Sequence, residues 1–130
     1  AATDEQLHHI KLLNDKMQSA SNAEAALNFF ELDMQFHCGI VNASANAPLI
    51  DTHTQYNRRL FRVRFLSSRM RLKRTQTLSQ HQQITDALIA RDKDGTAAEL
   101  RGHIRSAVEN IKLVFEPEQE FTRKHEEDKP

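Results

Sequence analysis

Apolar residues recur at helical spacing along most of the chain, and polar capping residues mark where the helices begin. Thr3 and Gln6, three residues apart, form a capping box that predicts a helix over about 4–18. The apolar stripe of this helix consists of Leu7, Ile10, Leu13 and Met17. A stripe of this kind predicts that one face of the helix packs on a core.

A polar break separates the next two predicted helices. A second capping box opens at Ser21 and predicts a helix over about 22–43. Asn46, followed by Pro48, is typical of an N-cap with proline in the first turn, and it predicts a third helix that ends near Met70.

Two further helices complete the predicted domain. Ser79 and Gln82 form a capping box that predicts a fourth helix over about 79–90. Asp94 starts a fifth helix that stays periodic through Phe115. Pro117 breaks this periodicity, and residues 116–130 are mostly charged with few apolar side chains, so we expect a frayed or disordered, charged C-terminal tail there. The helical domain is therefore predicted to span 1–115.

Composition agrees with an all-α domain of about five helices. The chain of 130 residues has the size of one domain, and its 3 glycines and 3 prolines are too few for the turns of an all-β fold. Its 18 basic and 18 acidic residues balance, which argues against a free-standing DNA-binding protein. With one cysteine and no apolar run of roughly 20 residues, we expect a cytoplasmic protein that does not enter membranes.

The second helix carries two polar residues inside its apolar face. On a wheel of about 100° per residue, Asp33 and His37 share a face with apolar neighbours. These neighbours are Ala26, Phe29, Phe30, Phe36, Ile40 and Val41. A carboxylate buried among phenylalanines needs a cation or strong hydrogen-bond donors, and one helical turn between the two side chains would let them share one ion.

Two more inward histidines lie on later helices. His81 shares a face with apolar residues of the fourth helix, and His103 flanks the apolar stripe of the fifth. That stripe is Leu100, Ile104, Ala107, Ile111 and Val114. Together with Asp33 and His37 they give three imidazoles and one carboxylate, a set that suits Zn²⁺ first, and also Ni²⁺, Mn²⁺ or Fe²⁺. The alternative for each residue is a polar group satisfied within the core.

The third helix also places polar residues on its predicted inner face. Arg64 and Asn57 share this face with His53, Tyr56, Leu60 and Phe61. An inward guanidinium beside an inward amide could bind the carboxylate of a ligand. The alternative is a salt bridge from Arg64 to Asp33 or Glu31.

Four stretches of the sequence resemble the FCD domain, the effector-binding domain of GntR-family transcription regulators in the FadR-like branch. They are Leu32-Asp33-Met34-Gln35-Phe36-His37, Ala45-Asn46-Ala47-Pro48-Leu49, Gln80-His81-Gln82-Gln83-Ile84, and the segment from Arg91 to His103. The pair Asp33 and His37, followed by His81 after 44 residues and His103 after another 22, is similar to the metal-binding set of that family.

The resemblance implies an antiparallel bundle that binds a divalent metal and a small organic acid or related metabolite. Asp33, His37, His81 and His103 would be the metal ligands. Such a domain forms homodimers and controls DNA binding by an N-terminal winged helix-turn-helix domain. That domain and the first bundle helix of the family are absent from this sequence, which opens on Ala1 without an initiator methionine. We expect either that both were removed from a longer protein or that the missing helix comes from another chain.

Two other functions compete with effector sensing. The same three histidines and one aspartate could activate water in a small metal-dependent hydrolase or lyase. No further inward carboxylate is placed to act as general base, so we expect that the protein is not an enzyme. A plain helical interaction module would leave the inward aspartate and histidines without a role.

Overall fold

The computed structural model describes residues 1–20, 26–69 and 74–127, and all its regular structure is helical. The five helices are α1 (Asp4–Ser19), α2 (Ala26–Ala43), α3 (Ala47–Ser68), α4 (Arg74–Ile89) and α5 (Lys93–Glu127). The predicted all-α fold with five helices is confirmed. None of the helices in these ranges is both long enough and apolar enough to cross a membrane.

Local signals at the helix starts behave as the sequence indicates. Gln6 N donates to Thr3 Oγ1 at 3.1 Å, and Thr3 N donates to Gln6 Oε1 at 2.9 Å, which completes the capping box of α1. Asn46 Oδ1 accepts from Leu49 N at 3.1 Å and caps α3, with Pro48 in the first turn. The capping box predicted at Ser21 lies outside the described residues.

Two predicted helix limits are wrong. α4 begins at Arg74 rather than at Ser79. Its inward positions include Leu78 and Arg74, and a pattern of apolar residues does not reveal an inward position that carries a charged side chain. α5 begins at Lys93 and continues past Phe115 to Glu127. The segment after Pro117 is rich in glutamate, glutamine, arginine and lysine, which favour helices, so one missing backbone donor does not end α5.

The helices close into a ring in which α1 packs on α2, α2 on α3, α3 on α5, α5 on α4 and α4 on α1. Side-chain contacts show the antiparallel directions. Asn14 bonds Gln82 while Gln18, later in α1, bonds Leu78, which comes earlier in α4. α4 likewise runs against α5, and α2 against α3.

The core lies mainly between α1, α2 and α4. Its buried apolar residues are Leu7, Ile10, Leu13, Met17, Phe29, Phe36, Ala43 and Ile84. The stripe predicted for α1 is thus confirmed. On α3, by contrast, Tyr56 and Leu60 are exposed and no side chain is buried, because α3 packs mainly on α2 and α5 in the described part of the chain. On α5, Ile104 is exposed and His103 occupies the buried face.

Candidate metal centre

Four polar side chains from three helices meet at one point inside the bundle. Asp33 and His37 lie one turn apart on α2, His81 comes from α4 and His103 from α5. The candidate ligand atoms of the three histidines all lie within 4.8 Å of one another. The helical wheels predict that all four side chains point into the interior, and in the structure all four do.

The four donor atoms form a closed ring of short contacts. Asp33 Oδ1 lies 3.1 Å from His37 Nε2 and 3.3 Å from His81 Nε2. His103 Nε2 lies 3.2 Å from His81 Nε2 and 3.3 Å from His37 Nε2. Ligand bonds of about 2.0–2.2 Å to one ion place neighbouring donor atoms about 3–3.5 Å apart. The spacing is that of atoms arranged around a common centre.

Hydrogen bonding leaves part of this cluster unsatisfied. Asp33 Oδ1 and His81 Nδ1 are buried, and neither has a hydrogen-bond partner among the described residues. His37 Nε2 and His81 Nε2 lie close to Asp33 Oδ1, but neither contact has the geometry of a hydrogen bond. A buried carboxylate oxygen without a donor is costly, and a cation at the centre of the cluster would satisfy it. The residues present therefore fit a divalent metal.

Gln80 sets the protonation of one histidine. His103 Nδ1 lies 2.7 Å from Gln80 Oε1, and the amide nitrogen of Gln80 donates to Ser106 Oγ at 2.9 Å. Since an amide oxygen only accepts, His103 carries its proton on Nδ1 and turns the lone pair of Nε2 toward the cluster. This is the usual arrangement of a metal-binding histidine and its supporting hydrogen bond.

The buried environment keeps His81 and His103 neutral. Burial lowers the pKa of His81 to about 3 and that of His103 to about 4, from an ordinary value of 6.5. Burial would raise the pKa of Asp33, but the neighbouring His37, His81 and Arg64 outweigh it and hold that pKa below its usual range. At neutral pH His81 and His103 are thus neutral and Asp33 is ionised, which are the protonation states that metal ligands require.

Aromatic contacts fix the rings in place. The ring of Phe36 stacks on that of His81, with centroids 4.6 Å apart, and both side chains are buried. The rings of His37 and His103 stack with centroids 5.1 Å apart and planes 6° apart. These contacts hold the ring planes within a densely packed wall, which limits their freedom to turn away.

Arg64 reaches the edge of the cluster from α3. Its Nη2 lies 3.8 Å from Asp33 Oδ2, so the predicted alternative of a salt bridge to Asp33 is present. Its Nη1 donates to Asn57 Oδ1 at 2.5 Å. Asn57 Nδ2 in turn contacts Cys38 Sγ and lies 3.3 Å from His53 Nδ1. Asn57 therefore supports Arg64 and is not among the residues that line the adjoining cavity.

A cavity of about 100 Å³ opens beside the cluster. Its charged and imidazole walls are Asp33, His37, His103, Arg64 and Arg74. Sequence reasoning missed two residues here, Gln80 and Arg74. Position alone could have indicated Arg74, since it lies one turn before Leu78 and two turns before His81 on the same helix face.

Comparison with known proteins gives one result. The family model of the FCD domain matches residues 1–106, which contain all four residues of the cluster and both arginines of the cavity. No match was found among curated proteins or among solved structures.

Proposed function

Since this chain belongs to the FCD domain family, the C-terminal effector-binding domain of GntR-family regulators, we propose that it senses a small organic acid through a metal held by Asp33, His37, His81 and His103. The observation that carries the proposal is the buried, unpartnered Asp33 Oδ1 at one corner of a ring that three imidazole nitrogens complete. Nitrogen-rich sets with one carboxylate suit Zn²⁺, with Ni²⁺, Mn²⁺ and Fe²⁺ as the other candidates.

The cavity beside the cluster would receive the effector. When bound, the metal supplies a positive centre that attracts a carboxylate. Arg64 supplies a second cationic contact at the cavity wall, and Asn57 holds the guanidinium in position through its side-chain oxygen. An acid that contacts both centres would bridge α3 to the helices that carry the cluster.

Regulation would follow from this bridge. A ligand shifts a conformational equilibrium only by its difference in affinity for the two states, and couplings of this kind are typically about 1–3 kcal/mol. We propose that effector binding changes how α3 packs on α2 and α5. In a homodimer acting in the cytoplasm, that change would alter the spacing of the N-terminal DNA-binding domains.

Calorimetry tests the sensing function directly. Metal-loaded protein is titrated with short carboxylic acids, and the titration is repeated after chelation and with R64Q. Saturable binding that weakens at least tenfold on chelation and in R64Q is expected, since each change removes one charged contact. R62Q, a change at an exposed arginine of the same helix, is the matched control and should bind as the unaltered protein does.

The amount of acid that remains after incubation distinguishes an enzyme from a sensor. Quantitative recovery of unchanged acid after long incubation with metal-loaded protein is the result expected for a sensor. Conversion of the acid at a rate that depends on metal would overturn the sensing proposal. Light scattering of the same sample tests the homodimer, since a mass of one chain would contradict it.

A further inference from the structure

Arg74 is a buried cation at the wall of the cavity. It is the first residue of α4, and only 7% of its surface is exposed. Its guanidinium carbon lies 4.2 Å from the centre of the Phe29 ring, and both residues line the cavity. The aromatic face holds the guanidinium in place but offers it no hydrogen-bond acceptor.

Two hydrogen-bond donors of Arg74 have no partner among the described residues. Its Nε and Nη1 atoms are buried and have no hydrogen-bond partner among the described residues, and no ion pair forms with a carboxylate of those residues. Buried arginines are almost always paired, because an isolated buried charge is costly. The two unpartnered donors, on a side chain that lines the cavity, are therefore suited to bind an anion there.

The position of Arg74 strengthens this indication. The N-terminus of α4 carries the partial positive charge of the helix dipole, and the Thr77 side chain of the same first turn also lines the cavity. Arg64 is different, because it already donates to Asn57 and lies beside Asp33. Among the described residues, Arg64 thus has polar partners in addition to its place at the cavity wall, whereas Nε and Nη1 of Arg74 have none.

Charge and size limit what can bind there. The two arginines exceed the single carboxylate of Asp33, and a divalent ion would add to this positive excess, so an anion with two charges is favoured over one with a single charge. The volume of about 100 Å³ is far below the roughly 300–1,000 Å³ of pockets for drug-sized ligands. A short molecule with an acidic group at each end meets both conditions.

We infer that Arg74 binds a second acidic group of the effector, so that the effector is a short dicarboxylate with one carboxylate at the Arg64 side and the other at Arg74. This inference rests on the proposed function, since it specifies the acid that the same cavity senses. It adds Arg74 as the residue that determines specificity for two acidic groups over one.

A calorimetric series on metal-loaded protein tests the inference. Succinate and glutarate are compared with butyrate, which has similar length and a single carboxylate. The unaltered protein should bind the better dicarboxylate at least tenfold more tightly than butyrate. In R74Q this preference should disappear while the affinity for butyrate and the metal content remain, because only the second carboxylate loses its charge-assisted contact.

Two further variants complete the series. R74K should keep part of the preference, since it retains the charge without the planar donors. R69Q is the matched control, because Arg69 also stacks on a phenylalanine, Phe65, but is exposed and lies outside the cavity; it should leave the preference unchanged.

The outcomes separate this inference from the proposed function. Acids that bind with metal-dependent affinity but without preference for two carboxylates would overturn the inference alone, and so would a preference that survives in R74Q. Since the preference is measured first on unaltered protein, a variant that fails to fold does not prevent the test. If metal-loaded protein binds no acid at all, both the inference and the sensing function are wrong.

Discussion

Two polar clusters meet α4 at adjacent residues, and they differ in whether the chain satisfies their buried polar atoms. On the α1 side, Asn14 is fully buried, donates to Gln82 Oε1 at 2.9 Å and accepts from Gln18 Nε2 at 3.1 Å. Toward α2 and α5, the cluster around His81 leaves buried polar atoms without partners among the described residues. His81 thus belongs to a cluster that needs a partner from outside it, whereas the adjacent Gln82 belongs to a cluster whose members satisfy one another.

This difference distinguishes a structural polar cluster from a binding site better than burial does. Removing polar groups from water costs free energy in both clusters, but hydrogen bonds within the chain offset that free energy in the amide cluster. In the aspartate and histidine cluster it is offset only when a cation occupies the centre. Changes that act on bound metal should therefore affect one cluster alone, and changes to the amides should affect only folding stability.

The largest expected effect comes from removing metal. A ligand at 1,000 times its dissociation constant stabilises the folded state by about 4 kcal/mol, so chelation should lower Tm by on the order of 10 °C. Differential scanning calorimetry with and without chelator measures this shift. The shift should persist in N14A and vanish in D33N. An equal Tm in both conditions would contradict a metal-dependent fold stability.

Acid should destabilise the metal-free protein. The pKa values of His81 and His103, about 3 and about 4 when folded, lie below the 6.5 of the unfolded chain, so between pH 6.5 and 4 the unfolded chain binds more protons. The free energy of unfolding should then fall with decreasing pH, by up to about 1.4 kcal/mol per pH unit for each histidine. Urea titrations at several pH values with chelator present measure the slope.

The variant H103N provides the check on this pH dependence. Asparagine does not titrate, so the slope below pH 6.5 should be roughly halved. A slope that is unchanged in H103N would show that the proton uptake comes from other groups.

Truncation of the amide cluster should affect stability without affecting metal. N14A leaves Gln82 and Gln18 without their buried partner and should lower the free energy of unfolding by about 1–3 kcal/mol, measured by urea titration. Metal content should not change. D15A, at the exposed neighbouring position paired with Lys11, is the control and should cost less than about 1 kcal/mol. Loss of metal in N14A would remove the distinction between the clusters.

Removing the support of one histidine should have the smallest effect. Q80L deletes the acceptor that keeps the proton on His103 Nδ1 and should weaken metal affinity about tenfold to a hundredfold. Competition with a chromophoric chelator measures the affinity. S106A, which removes only the hydroxyl that Gln80 contacts, should have a lesser effect; if both variants bind metal as tightly as the unaltered protein, Gln80 does not position His103.

Sequence reasoning located the cluster because its members interrupt apolar stripes at inward positions. Asp33 and His37 stand out among the phenylalanines of α2, and His81 stands out beside Ile84. Periodicity alone does not predict that these residues meet, because a helical wheel does not show which helices are neighbours. The resemblance to a known family supplied that step.

Other features were beyond the reach of periodicity. Arg74 is inward but charged, and the pattern of apolar residues therefore predicts that α4 begins later than it does. The face of α3 with Tyr56 and Leu60 has an apolar pattern, but the pattern does not specify whether it packs within the same chain. Asn57 shares a face with Arg64, and only the coordinates show that it supports the guanidinium rather than lining the cavity.

The most direct test of the account is the metal content of the purified protein, measured by mass spectrometry after dialysis against buffer without chelator. The account predicts close to one divalent ion per chain in the unaltered protein and in H53A, whose histidine lies near Arg64 but outside the ring of donor atoms. It predicts a sharp loss in H81A. Protein that stays free of metal after addition of Zn²⁺, Ni²⁺ or Mn²⁺ would contradict it.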